Sequence, residues 1–436
     1  MVRCVSRASD EIDCIRVKTR PWLNRASRRS FEEVAAGATL APMIRRALAR
    51  PAVFTLVAAL AACATQKPPQ QPTTPVPAAP PSAVTPAPAP VVPAAPVPPQ
   101  LRDVGIARAE FVRDTAAKYG IDATTIEGAL AKASIRDSVI AAMSRPAEAK
   151  PWSAYRPIFL TPARIDGGRA FLAANRDALA RAEAQYGVPA EIIAAIIGVE
   201  TSYGGNKGSY PVIDALYTLA FFYPRSGDPA KLARENQREA FFRDELGQLF
   251  ALGKETGFDI TALKGSYAGA MGWGQFMPSS YRQYAVDGDG DGRRDLFEDL
   301  DDVFASIANY FVQKGGWQRG GRVMVPALRD GAADYNAESI DAMEPLSAFV
   351  ARGFRTDQPI APDTPTNLVR LDGAAGPEYW LVFNNFRAIT KYNTSRLYAT
   401  AVYQLAEAIA GREVGAPATA PTTVPAATPA VELPAT

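Results

Sequence analysis

Between about residues 101 and 412, apolar residues recur three and four positions apart, and glycine, proline and threonine punctuate the runs. "IARAEFVRDTAAKYG" (106–120) and "TTIEGALAKA" (124–133) carry this period, which predicts helices. "ALARAEAQYGVPAEIIAAIIGVE" (178–200) reads as a helix, a glycine stop at Gly187, and a new helix with Pro189 suited to its first turn. "REAFFRDELGQLFALGKE" (238–255), "DVFASIANYFVQKGG" (302–316) and "RLYATAVYQLAEAIAG" (396–411) continue the pattern. Only "EYWLVFNN" (378–385) has the character of a strand. No internal repeat is present, and the fold class is mainly α with minor β, an α+β chain.

One position breaks the apolar logic. Ile192, Ile193, Ile196 and Ile197 form a stripe on the helix that begins near Pro189, and Glu200 continues it, four beyond Ile196. Glu200 also falls in the last turn, ahead of Gly204 and Gly205, which are placed to stop the helix. Desolvation and the negative helix end both disfavour its charged form. A carboxylic acid held neutral suits general-acid cleavage of a glycosidic bond, where such groups are tuned toward ~6. The alternative is a buried glutamate paired with an arginine or capping a loop.

Composition narrows the chemistry. The 436-residue chain has no histidine, which removes Ser-His-Asp and Cys-His nucleophiles and His-ligated zinc. Its three cysteines, Cys4, Cys14 and Cys63, all precede residue 64, so the helical region has no disulfide or thiolate metal site. With 47 Lys+Arg against 45 Asp+Glu, nothing points to nucleic acid. Carboxylate acid–base chemistry and oxygen-ligated calcium remain.

The flanks differ from the middle. Residues 43–62 combine Arg45, Arg46 and Arg50 with an apolar run of signal-peptide length. They end in "LAAC" (60–63), which resembles a bacterial lipobox with Cys63 as the acylated residue; an ordinary secretory signal is the alternative. That placement makes Met43 the expected start and residues 1–42 an upstream extension. Ala64 after the cysteine suggests sorting to the outer membrane. Residues 63–100 then form a lipidated cysteine and a Pro/Ala-rich linker with a reach on the order of 100 Å, at ~3.1 Å per residue in polyproline II. Residues 413–436 read as a disordered Ala/Pro/Thr tail.

Two further motifs bear on chemistry. "GSYAGAMGWGQFMPSSY" (265–281) is a glycine-rich turn with Tyr267, Trp273, Gln275 and Phe276, and no Gly-Lys-Ser/Thr follows it as a phosphate loop requires. Aromatic faces with an interleaved amide suit a sugar groove; a tightly packed loop is the alternative. "DGDGDGRRDLFE" (287–298) has the EF-hand spacing. Asp287, Asp289 and Asp291 take positions 1, 3 and 5, Gly292 position 6, Arg293 (by its carbonyl) position 7, Asp295 position 9 and Glu298 position 12. Asp301 or Asp302 is an alternative closing ligand. The cation expected there is a structural Ca2+, with no part in the chemistry.

"IIGVETSYG", "GSYAGAMGWGQFMPSSY", "ANYF" and "ITKYN", in this order, resemble the membrane-bound lytic murein transglycosylase B family over most of 101–412. The resemblance implies a lysozyme-like catalytic core with additional helical and small β or EF-hand-like subdomains. It also implies cleavage of the β-1,4 bond between N-acetylmuramic acid and N-acetylglucosamine, without water, leaving 1,6-anhydro ends. The family's catalytic acid/base falls on Glu200. Its substrate contacts fall on Tyr155, Ser266, Gln275, Phe276, Tyr310, Tyr392 and Asn393, with Arg225 where some relatives have two arginines. Asp214 and Glu239 are nearby acids that stay open as helpers. The implied partners are peptidoglycan strands and, through the lipid anchor, a membrane on the periplasmic side, with room for cell-wall synthesis or division proteins. A hydrolytic muramidase and a catalytically silent peptidoglycan-binding scaffold are the rival readings.

Overall fold

The helix that carries Glu200 has no wet side along most of its length. In the computed structural model, which describes residues 101–144, 150–331 and 334–413 (side chains from 104), every residue from Ile192 to Gly198 is buried. The expected stripe is therefore a core helix covered all round. The extension 1–42, the signal-like run 43–62, Cys63, the linker to 100 and the tail from 414 lie outside the described residues.

Local signals start and stop the helices around it. Leu101–Tyr119 (α1) is followed by Ala123–Lys132 (α2), which opens where Asp122 accepts from Thr124 N at 2.9 Å. Asp137–Met143 (α3) and Trp152–Phe159 (α4) come next. Pro162–Ala174 (α5) starts at Thr161, whose Oγ1 accepts from Arg164 N, with Pro162 in the first turn. Arg176–Tyr186 (α6) stops at Gly187, φ +72°, as its glycine suggested. Ala190–Thr201 (α7) follows, with Pro189 at the capping position, one step ahead of the first turn. Pro189 has no side-chain group to cap α7, but Glu183 Oε2 accepts from Ala190 N at 3.1 Å. Burial of Ile192, Ile193, Ile196 and Ile197, worth up to about 1.5–3 kcal/mol each, holds the helix further.

Tyr210–Pro211 (β1) leads into Val212–Phe221 (α8), and Leu232–Thr256 (α9) runs 25 residues to Gly257. Lys264–Gly265 (β2) pairs antiparallel with β1, so the glycine-rich turn is tied to the segment just after α7. Pro278–Tyr284 (α10) and Leu300–Gln313 (α11) complete this part, α11 capped by Asp299. The helices α5, α6, α11 and the last helix, Arg396–Ile409, all pack on α7.

More strand is present than the sequence pattern suggested. Met324–Pro326 (β3), Leu328–Arg329 (β4), Glu344–Pro345 (β5), Phe354–Arg355 (β6), Pro365–Gly373 (β7) and Gly376–Val382 (β8) follow α11. Four of them form an antiparallel sheet in the order β3-β8-β7-β5, with Val369 opposite Trp380. The short helix Leu346–Ala351 (α12) lies between β5 and β6, and a second apolar cluster around Phe349, Phe354 and Leu381 backs the sheet. Asn384 and Asn385, expected to extend the strand, instead open Asn384–Tyr392 (α13), which hands the chain to Arg396–Ile409 (α14).

Two residues before Glu200, Gly198 lies under the ring of Tyr203: a Cβ there would stand 2.6 Å from the phenol oxygen. Gly198→Ala is expected to cost about 1–3 kcal/mol through overpacking, read as a lower urea midpoint with an unchanged slope.

Candidate active site

Helix α7 ends just after Glu200. Ser202 N donates to Gly198 O at 3.2 Å and Tyr203 N to Ile197 O at 3.3 Å, while Ser202 and Tyr203 take φ of 52° and 58°. The stop thus comes from Ser202, two residues before the expected glycines. Left-handed backbone at residues with a Cβ costs about 1–2 kcal/mol each. The side chain of Tyr203 offsets that cost: its hydroxyl donates to Arg164 O at 2.9 Å and its ring lies 5.4 Å from that of Phe171. Arg164 donates in turn to Gly198 O, putting a cation on the carbonyl end of α7. Gly204, φ +82°, has the ring of Trp273 where a Cβ would go. Thr201 Oγ1 lies 3.1 Å from Trp273 O, so the glycine-rich turn is seated on the end of α7.

Burial raises the Glu200 carboxyl to about pH 7, and a hydrogen bond from Tyr398 opposes that shift. The phenol of Tyr398, on α14, donates to Glu200 Oε1 at 2.5 Å. Glu200 keeps a partly exposed face although protein crowds its carboxyl group. At neutral pH it is divided between acid and carboxylate, so it can give a proton and take one back. Burial was the expected cause; the tyrosine was not foreseen. Tyr398 sits on the apolar face of an amphipathic helix, where an aromatic reads as core, and no spacing in the sequence marks it.

The structure gathers several of the expected contacts around this acid. Tyr392, at the end of α13, feels the charge of Glu200, which with burial holds its phenol well above the usual range; its hydroxyl donates to Gly274 O at 2.5 Å. Burial and then the charge of Glu200 hold the Tyr398 phenol well above its usual range, with Tyr155 a lesser contributor; the Tyr155 ring is 6.3 Å from Trp152. Tyr310 packs edge-on to Tyr392 at 4.9 Å and donates to Lys391 O at 2.7 Å. Phe276 stands 5.6 Å from Tyr310 and 5.9 Å from Tyr392. At 2% exposure it props these tyrosines and offers a ligand almost no ring surface.

Others are already engaged. Gln275, φ 51°, donates through Nε2 to Lys207 O and Gly272 O, both at 3.1 Å, which leaves its carbonyl oxygen for a ligand. Ser266 Oγ accepts from Ala268 N and Ala270 N and keeps its hydroxyl proton to give. Asn393 Oδ1 caps Ser395 N at 3.0 Å, and its amide nitrogen makes no hydrogen bond among the described residues. Arg225 is held in an ion pair with Glu239, which Arg243 also bonds at 2.7 Å. Asp214 is locked by Arg136 at 2.5 Å and by Ser134 N. Both candidate helper acids are thereby committed to arginines.

In the acidic loop, oxygens of Asp287, Asp289 and Asp302 lie within 4.8 Å of one another. Asp302, one of the two alternatives to Glu298, thus shares the cluster, whereas Glu298 is 82% exposed and turned toward Lys207 at 3.7 Å. Asp301, the other alternative, pairs with Arg181 at 2.6 Å. Asp291 and Asp295 stand outside the cluster. Asp291 accepts from Arg293 N at 2.7 Å, and Asp295 from Phe297 N at 2.8 Å and Glu298 N at 3.1 Å. The loop reaches the acid's surroundings directly: Trp273 N donates to Leu296 O, Trp273 Nε1 to Phe297 O, and Lys207 Nζ to Phe297 O.

Residues 106–407 match the family model for the transglycosylase SLT domain. Membrane-bound lytic murein transglycosylase B of Escherichia coli (strain K12) is 39% identical over 311 residues, covering 69% of this chain and 82% of the relative. The E. coli lytic transglycosylase Slt35 in complex with calcium is 38% identical, with a TM-score of 0.62 over 70% of this chain and 92% of that one. SltB3 of Pseudomonas aeruginosa, in complex with NAG-anhNAM-pentapeptide, is 32% identical, with a TM-score of 0.62 over 72% and 82%.

If the protonated Glu200 carboxyl is the proton donor, activity should fall as pH rises through about 7. Tyr398→Phe removes the bond that lowers this pKa, so the alkaline limb of kcat/KM should move to higher pH. A limb left in place would mean that Tyr398 does not tune the acid.

Proposed function

The chain belongs to the transglycosylase SLT-domain family and is a peptidoglycan lytic transglycosylase, and we propose that Glu200 is its single acid and base. The substrate would be the β-1,4 bond between N-acetylmuramic acid and N-acetylglucosamine. Neutral Glu200 gives its proton to the glycosidic oxygen as the C1–O bond breaks. The substrate's own acetamido group shields C1, and the C6 hydroxyl then attacks C1 while the Glu200 carboxylate takes its proton. A 1,6-anhydro end forms, no water is consumed, and the acid returns to its starting state.

The observation that carries this reading is the solitary carboxyl group. Two-carboxylate glycosidases need a second acid about 5–9.5 Å away. Here no other carboxylate contributes to the Glu200 shift, and Asp214 and Glu239 are spent on arginines. One acid/base then serves whichever acceptor attacks C1, and the product, anhydro or reducing, tells the C6 hydroxyl from water. Tyr392, Tyr155, Gln275 and Asn393 supply aromatic surface and amide groups for the sugars, with Tyr310 and Phe276 behind them. Ser266 has a hydroxyl proton to add, and Arg225 is available to a substrate only if drawn from Glu239.

We further assign the acidic loop to a calcium ion; the relative Slt35 has been solved in complex with calcium. Asp287, Asp289 and Asp302 offer three hard carboxylate ligands, with backbone carbonyls to complete the shell. The ion would hold the loop that supports Trp273. Among the described residues no helix is long and apolar enough to cross a membrane. Membrane association, as the name of the E. coli relative indicates for that protein, is assigned to acylated Cys63, with residues 64–100 as tether, the domain 101–412 beyond it and the periplasmic face of the outer membrane as its place.

Glu200→Gln should lower clearing of purified murein by roughly 100-fold or more while binding to sacculi persists. Mass spectrometry of the products should show anhydro ends, each lighter by one water than the reducing ends a muramidase leaves; reducing ends would overturn the assignment. Chelation of calcium should lower the melting temperature of the parent and leave that of Asp302→Asn unchanged.

A further inference from the structure

A cavity of about 560 Å³ lies where the turn after α11, the segment 359–365 and the start of α13 meet. None of its lining residues is acidic, and two are arginines, Arg322 and Arg387. Arg322 bonds only neutral acceptors, Gln358 Oε1 at 2.6 Å and Pro359 O at 3.4 Å, and makes no ion pair among the described residues. Arg387 reaches Asp341 at 4.0 Å, but that carboxylate is already held by Lys391 at 2.8 and 3.0 Å. Arg387 otherwise donates to Asn384 Oδ1 at 2.9 Å, and its Nε is buried without a hydrogen-bond partner. Arg387 and Lys391 therefore share one carboxylate, and Arg322 has none among the described residues. The neighbouring acids Glu344 and Asp357 are paired elsewhere, with Arg352 and Arg355. Met343, Ile360 and Phe383 give the same cavity an apolar wall.

Helix α13 links this cavity to the active site. Arg387 and Lys391 are one turn apart, and Tyr392, at the helix end, is the tyrosine that feels the charge of Glu200. Five residues of helix span roughly 8 Å. An extended peptide of four or five residues covers about 13–17 Å, so a peptide carried by a glycan in the cleft can reach the arginines.

We propose that this cavity is a carboxylate subsite that takes the C-terminal end of a murein stem peptide. The free α-carboxylate lies across the guanidinium groups of Arg322 and Arg387, where a planar fork of donors matches its two oxygens. The methyl side chain of a terminal alanine rests against Met343, Ile360 and Phe383. The assignment rests on the lytic transglycosylase reading for the identity of the peptide, but its test does not depend on turnover.

The full chain carrying Glu200→Gln is titrated by calorimetry with acetyl-lysyl-D-alanyl-D-alanine and with the same peptide ending in an amide. The acid should bind and the amide should bind about tenfold more weakly or worse, the value of one charge-assisted pair. Arg322→Gln, an exposed position, and Arg387→Gln should each weaken the acid by a similar factor while a peptide-free chitooligosaccharide binds as before. Equal binding of acid and amide, or arginine variants that bind like the parent, would overturn the subsite. Displacement of the peptide by equimolar inorganic phosphate would also overturn it, since the cavity would then be a general anion site. The muropeptide digest reports on catalysis separately, so failure of one assignment is visible without the other.

Discussion

Everything at this site follows from placing a carboxyl group at the end of a helix that water cannot reach. Helix α7 is covered on all sides from Ile192 to Gly198, and its four isoleucines anchor it there. Glu200 emerges from that core by a single turn. The surrounding protein withholds the hydration that an anion needs, which is why the group keeps its proton to about pH 7. Tyr398 moderates the effect through a donor that stabilises the anion once the proton has left. Both states of the acid are thus provided for, one by burial and one by a hydrogen bond, and a proton can pass out and back without a second titrating partner.

Much of this was legible in the sequence where a single local rule decided the outcome. Glu200 stood out because an acid continued a run of isoleucines, and Gly187 marked the break between α6 and α7. The loop 287–298 was marked by alternate aspartates and its glycines. The misses come from long range. Tyr398 lies 198 positions from Glu200 and is indistinguishable from a core aromatic on its own helix. Asp302, which the sequence offered only as an alternative to Glu298, joins the acidic cluster from the opening turn of α11, beyond the twelve-residue pattern. The strand β7 was missed because "PTNLVRLDG" buries both faces and loses its alternation. Asn384 and Asn385 look like a strand's continuation until tertiary contacts turn them into a helix start.

The acid and the acidic loop are one mechanical unit, although they come from different parts of the chain. Leu296 O and Phe297 O receive the two N–H groups of Trp273, and Trp273 O meets Thr201, the neighbour of Glu200. Lys207 adds a third tie, donating to Phe297 O while its ammonium lies 5.2 Å from the indole ring. Order in the loop is transmitted to the acid through hydrogen bonds to backbone carbonyls, a route that carries position without adding charge next to the carboxyl.

The glycines beneath the aromatic rings give this architecture an unusual pattern of freedom. Tyr203 occupies the space over Gly198, and Trp273 the space over Gly204, so the two residues with least substance flank the reacting group on either side. Even a single methyl group added at either position would meet a ring and push it, so the smallest substitution there disturbs the aromatic packing that fixes the turn after the glutamate.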